Sequence, residues 1–171
     1  LLVGPQAGII AGDADLVARI RRNPLFRAVR VGKLTLAALG ATLRSYLAGR
    51  EDEIPALRFL RLPADVLRAR ARKLVERLAG HGMSGCEVVE GESLLGGGST
   101  PMQAVRSPLV AVGGQPGLAA AALAGGLRTH NPPVVVRIER DRVLLDLRTV
   151  PEIHEDDLVA ALLAATRSRQ A

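Results

Sequence analysis

PPVVVRIERDRVLLDLRTV, residues 132–150, is the stretch whose reading decides the fold. Residues 133–138 and 142–147 run or alternate apolar around Asp141, the pattern of a β-hairpin. Working outward, CEVVE at 86–90 and PLVAV at 108–112 read as two earlier strands. GESLLGGGSTP at 91–101 reads as a Gly-rich loop between them. Residues 116–126 are Ala/Leu-rich and helical, with Gly125-Gly126 as the expected end. Residues 155–168 read as a closing helix. The order strand, strand, helix, strand, strand, helix predicts an α+β layer, with helices on one face of a mostly antiparallel sheet.

Further upstream a long helix is expected over about 63–79, with Pro63 and Asp65 near its start and Gly80 past its end. It sets Arg70, Lys73 and Arg77 on one face and Leu67, Leu74 and Leu78 on another. REDEIP at 50–55 is a polar break and the best candidate domain boundary. Before it, KLTLAALGATLRSYLA at 33–48 has Leu36, Leu39, Leu43, Tyr46 and Leu47 at helical spacing, with Gly49 as a stop. Asp13 is placed to cap a helix over 14–22, and Pro24 starts a turn. QAGIIA at 6–11 reads as a short buried strand. No internal repeat is visible.

The 171 residues suffice for one domain, or a small domain plus part of another. With 48% hydrophobic residues a packed core is within reach. The net charge of +6 is carried almost wholly by arginine, since Lys33 and Lys73 are the only lysines. Such a charge fits a basic surface and equally an anionic partner such as RNA or phosphate. Phe26, Tyr46 and Phe59 are the only aromatics, which argues against base stacking as a route to single-stranded nucleic acid. Cys86 stands alone, so the chain can hold no disulfide framework and no cysteine-based metal cluster. A lone cysteine fits a cytoplasmic location. No signal peptide and no bilayer-length apolar run is present.

Arg27 and Arg30 sit at i, i+3 and share a face if their segment is helical. Guanidinium forks suit phosphate or carboxylate, and Lys33 could add a third charge. A solvated basic face explains the same spacing. GGGSTP at 96–101 resembles a phosphate loop superficially but lacks its Lys-Ser/Thr ending, so a structural loop is the simpler reading. His81, His130 and His154 have no ligand spacing around them, and no metal site is expected. Cys86 reads as a buried structural thiol. Arg137, Asp146 and Arg148 are explained by ion pairing around the hairpin. Residue types alone describe an α+β domain without an assigned chemistry.

Four segments taken together add to this. LLVGPQAGIIAG at 1–12, NPLFRAVRVGKLTLAALGATLRSYL at 23–47, GGGSTP at 96–101 and PPVVVRIERDRVLLDLRTV at 132–150 occur in an order that resembles the bacterial selenocysteine synthase family. The resemblance implies an α/β fold of the fold-type I pyridoxal-phosphate class. Residues 1–50 would be the tail of the large cofactor domain, and 51–171 the small C-terminal α+β domain. In that family the cofactor lysine sits in a motif of the form Asp-Lys-Leu-Leu-Gly-Gly-Pro-Gln-Ala-Gly. The match begins at Leu1, so the lysine would immediately precede it. Gly4, Pro5 and Gln6 would lie near the cofactor, and Val3 departs from a usual glycine. Neither Lys33 nor Lys73 sits in the motif, so the isolated chain is expected to be inactive.

The family reaction converts L-seryl-tRNA(Sec) to selenocysteinyl-tRNA(Sec) with selenophosphate, through an aminoacrylyl intermediate. Pyridoxal phosphate supplies the electron sink that elimination of the seryl hydroxyl requires. Arg27 and Arg30 align with family arginines implicated in binding the anionic selenium donor. The resemblance further implies a ring-like homo-oligomer, seryl-tRNA(Sec) as partner and a cytoplasmic location. Two other readings remain open: a related pyridoxal-phosphate lyase or transferase acting on a small amino acid, and a non-enzymatic basic RNA-binding or assembly module.

Overall fold

Two stretches of chain with very different burial make up the structure. It is a computed structural model that describes residues 4–94, 104–113 and 117–167. The chain divides into compact units at Leu1–Arg58 and Phe59–Ala171. The GGGSTP segment and Leu1 to Val3 lie outside the described residues.

The first unit is helical. Helix α1 spans Ala14–Arg22, and the Asp13 carboxylate accepts from the amides of Asp15 and Leu16 at 3.0 and 3.1 Å. That satisfies two amides that would otherwise lack an intrahelical acceptor, as the sequence predicts. The Asn23 side chain accepts from the Leu25 amide at 2.9 Å and leads into the short helix α2, Leu25–Val29. Helix α3, Lys33–Leu47, follows the predicted span and stops before Gly49, whose φ of +66° is one that glycine adopts without strain. A 3-10 turn at Glu51–Glu53 leads to helix α4, Pro55–Arg61, across which the two units join in sequence.

The expected buried strand at 6–11 is not formed. Those residues carry no regular structure, and Ile9 and Ile10 are 60% and 63% exposed. A strand needs a ladder partner for its amides and carbonyls, and the first unit holds no strand among its described residues.

The second unit is built on one antiparallel sheet. Helix α5, Ala64–Gly80, precedes strands β1, Cys86–Leu94, and β2, Ala104–Val112. Helix α6, Ala120–Thr129, then leads to β3, Arg137–Glu139, and β4, Arg142–Leu145, and helix α7, Glu155–Arg167, closes the unit. The sheet order is β1-β2-β4-β3, and every pairing is antiparallel. The β3–β4 turn places Arg140 and Asp141 at φ of +51° and +56°, the left-handed pair that matches strand twist in a two-residue hairpin. Pro108 falls where β2 has β1 as its partner and β4 has not yet joined, so its missing amide costs no ladder bond to β4.

Strand alternation sorts the core. Val110, Val112, Val143 and Leu145 join Leu67, Leu74, Leu78, Leu127 and Leu162 of the helices in one cluster. The intervening Leu109, Ala111 and Leu144 form a smaller cluster with Val89 that contains no helix residue. The helices therefore cover one face of the sheet, as the element order predicts.

Two boundaries differ from expectation. Gly91 to Leu94 continue β1 rather than beginning the loop, because Gly91 lets Leu109 lie across the open face. A Cβ there would clash with the Leu109 Cδ1, at 2.4 Å, well short of ordinary van der Waals contact. Gly125 and Gly126 lie inside α6 rather than ending it. A Cβ on Gly126 would sit 3.1 Å from that of Ala165, so this glycine serves the close approach of α6 to α7. No helix among the described residues is long and apolar enough to cross a membrane.

Candidate functional site

Gly4 lies against α3. A Cβ at Gly4 would be 3.0 Å from Thr42 Cγ2, so the chain passes closer to the helix than a side chain comfortably permits. Gly4, Thr42, Ser45, Glu53 and Ile54 help line a cavity of about 480 Å³. The Thr42 hydroxyl donates to the Ala38 carbonyl at 3.0 Å, and Ser45 donates to the Glu53 carboxylate at 3.3 Å. Arg50 holds the same carboxylate at 3.1 Å. The lining supplies hydroxyls, one carboxylate and no cation.

That chemistry does not fit pyridoxal phosphate on its own. A phosphate-bearing group calls for cations or aligned amides, and the internal bond to such a cofactor calls for a lysine. Lys33 begins α3 and Lys73 lies exposed on α5, and neither lines this cavity. Gly4, Pro5 and Gln6 can flank a cofactor site but do not form one.

Arg27 lies within α2. Arg30 is the residue past its end, with φ −67° and ψ 126°, so its backbone is extended. The condition for the two arginines to share a helical face is thus not met. Helix α2 ends at Val29 after five residues, and the chain leaves it in extended backbone. Both arginines are exposed, as is Lys33, and none makes an ion pair with a described residue. Their guanidinium groups are free to take an anion, but so are those of Arg19, Arg21 and Arg22 at the end of α1. Neither Arg27 nor Arg30 lines the Gly4 cavity.

The remaining sequence candidates resolve in the second unit. Cys86 is half-buried and packs against the main core, and burial pushes its thiol above its ordinary pKa. A thiol so placed is a poor nucleophile, in keeping with the structural reading. No group of His, Cys, Asp or Glu that could hold a metal occurs among the described residues. Ion pairing does not explain Asp146 and Arg148. Asp146 accepts from the Ser93 and Ser107 hydroxyls and from the Arg148 amide. Arg148 is 3% exposed and donates to four backbone carbonyls. Sequence reasoning missed this network because its partners lie some forty to ninety positions away and two of them are serines. The only local signal was an Asp-x-Arg directly after an apolar strand.

Comparison with known proteins settles the family. The sequence model described as L-seryl-tRNA selenium transferase matches residues 1–151. The chain belongs to the L-seryl-tRNA selenium transferase family. A protein of Hyphomonas neptunium named L-seryl-tRNA(Sec) selenium transferase is 43% identical over 152 residues, covering 88% of this chain and 33% of that protein. Proteins of the same name from Aquifex aeolicus and Geobacter sulfurreducens are 39% and 42% identical, over 91% and 98% of the chain and 34% and 36% of their own lengths. The chain thus spans about a third of the relatives it matches. The family match takes in Gly4 to Gln6, Arg27, Arg30 and the Asp146–Arg148 network, and stops short of α7.

Proposed function

We propose that the chain is part of a pyridoxal-phosphate transferase of the fold-type I class that converts L-seryl-tRNA(Sec) to selenocysteinyl-tRNA(Sec) with selenophosphate. The observation that carries this reading is the identity of about 40%, along nearly the whole chain, to proteins named for that activity. Residues 1–50 are read as the tail of the large domain and 51–171 as the small domain. The cofactor lysine is read as lying upstream of Gly4, with Gly4, Pro5 and Gln6 beside it. When bound, the cofactor supplies an electron sink for loss of the seryl hydroxyl. Arg27 and Arg30 bind the anionic selenium donor. Their exposed, unpaired guanidinium groups support that role, because a donor of this charge needs cations that are not already neutralised. The reading carries with it a cytoplasmic, ring-like homo-oligomer.

The experiment is a transfer assay on the intact protein with seryl-tRNA(Sec) and selenophosphate. Formation of selenocysteinyl-tRNA(Sec) is expected. Release of product from free serine or another small amino acid, with none from the charged tRNA, would refute the reading in favour of a related lyase.

A further inference from the structure

Helix α4 is the stretch in which the chain passes from the first unit to the second, and its C-terminal carbonyls need partners. They find them in one side chain. Arg148 Nη1 donates to the carbonyls of Phe59, Leu60 and Leu62 at 2.9, 3.2 and 2.9 Å. Its Nη2 donates to the Arg106 carbonyl of β2 at 2.9 Å. The guanidinium is buried and pairs with no carboxylate among the described residues. Its charge is met by carbonyl dipoles at the negative end of a helix, where a cation is favoured.

The arginine is itself held from behind. The Asp146 carboxylate accepts from the Arg148 amide at 3.0 Å, which fixes the backbone from which the side chain projects. The same carboxylate is tied to β1 through Ser93 and to β2 through Ser107, the latter at 2.9 Å. Ser107 is fully buried and Ser93 nearly so. Two strands, the turn after β4 and the end of α4 therefore converge on two adjacent charged side chains. Lysine could not replace this arginine, because a single ammonium cannot reach carbonyls on both α4 and β2 in a planar fork.

We infer that Arg148 is a positioning residue: its buried guanidinium clamps the C-terminal end of α4, where the second unit begins, to the sheet of that unit. The clamp acts on the connector and is independent of which reaction the intact protein performs.

The test is hydrogen exchange, read by peptide, on the intact protein carrying Arg148→Lys or Arg148→Met. Both variants should speed exchange across residues 56–63 by at least about tenfold, the scale of losing hydrogen bonds from a charged donor. Peptides from α6 and α7 should keep their wild-type protection. Unchanged exchange at 56–63 would overturn the inference, and so would a uniform acceleration through the second unit. Should neither variant fold, Asp146→Asn keeps the guanidinium and loosens its support. It should give a smaller acceleration confined to the same peptide, and wild-type exchange there would equally overturn the clamp.

Discussion

The two units of this chain carry similar apolar content and use it in opposite ways. In the second, residues from α5, α6, α7, β2 and β4 close around one another until Leu67, Leu78, Leu127 and Leu162 are fully buried. In the first, Ile54 is the buried hydrophobic residue among those described, while Ile9, Ile10, Leu25, Leu34, Leu36 and Leu47 remain exposed. Helix α3 shows the difference most clearly. Its apolar spacing is that of a core helix, yet it buries no residue and Leu47 is 89% exposed. Leu34 and Leu36 of the same helix are exposed as well. The chain spans about a third of the length of the relatives it matches. The comparison teaches that stability and proposed chemistry are separated along the chain. The arginines assigned to the selenium donor lie in the unit whose described residues form no buried cluster.

Side-chain truncation breaks the comparison most sharply. Leu74→Ala, in the core of the second unit, is expected to cost ~2–5 kcal/mol in urea unfolding of this chain. Leu47→Ala in the first should stay within about 0.5 kcal/mol. Repeating the pair in the intact protein sharpens the account, because a covered α3 would make the Leu47 change costly too. A loss of similar size at both positions in the isolated chain would contradict it.

Glycine substitutions give the next effect. Gly91→Ala puts a Cβ into Leu109 and should cost ~1–3 kcal/mol, the range for overpacking. Gly8→Ala meets nothing within 4 Å, and its effect on the melting midpoint should be close to nil. Smaller again, Asp13→Ala removes the carboxylate oxygen that accepts from two amides at the start of α1 and should lower helicity, at a cost of ~1 kcal/mol to that helix. Circular dichroism of the isolated chain reads that loss.

The smallest effect is electrostatic. Hydrogen bonding to Arg68 holds the Glu90 carboxyl below its ordinary pKa of 4.5, with Arg106 adding to the pull. A carboxyl depressed in the folded state contributes stability that is complete above its unfolded pKa. That contribution is lost as pH falls through the folded value. Both side chains of the pair are solvent-facing, so the contribution is slight. Arg68→Met should raise the Glu90 titration midpoint towards 4.5 by NMR and flatten that part of the acid limb. A midpoint that does not move would show that Arg68 is not the cause.

Much of the second unit was legible because its signals are local. Asp141 and its flanking apolar runs marked the hairpin, and the 3.6-residue spacing of Leu67, Leu74 and Leu78 marked α5. The failures were all places where a partner decides. QAGIIA has the composition of a strand and no strand beside it among the described residues. Gly125-Gly126 has the form of a helix stop, but the nearness of Ala165 makes Gly126 a packing position. Arg148 reads in sequence as an ion-pairing residue of the hairpin because nothing in its neighbourhood of sequence names the α4 carbonyls it reaches. The candidate site was legible through family resemblance alone. Spacing suggested that Arg27 and Arg30 share a helical face, and the end of α2 at Val29 separates them into helical and extended backbone.

The proposed chemistry is assigned to exposed cations of the first unit, and the stability of the fold to the core of the second. The most direct measurement is selenium transfer by the intact protein bearing Arg27→Ala or Arg30→Ala, with the melting midpoint read on the same samples. Each variant is expected to lose about ten- to a hundredfold in transfer, the scale of a lost charge-assisted contact to an anion, at an unchanged midpoint. Full transfer in both variants, or a midpoint that falls together with transfer, would contradict the account.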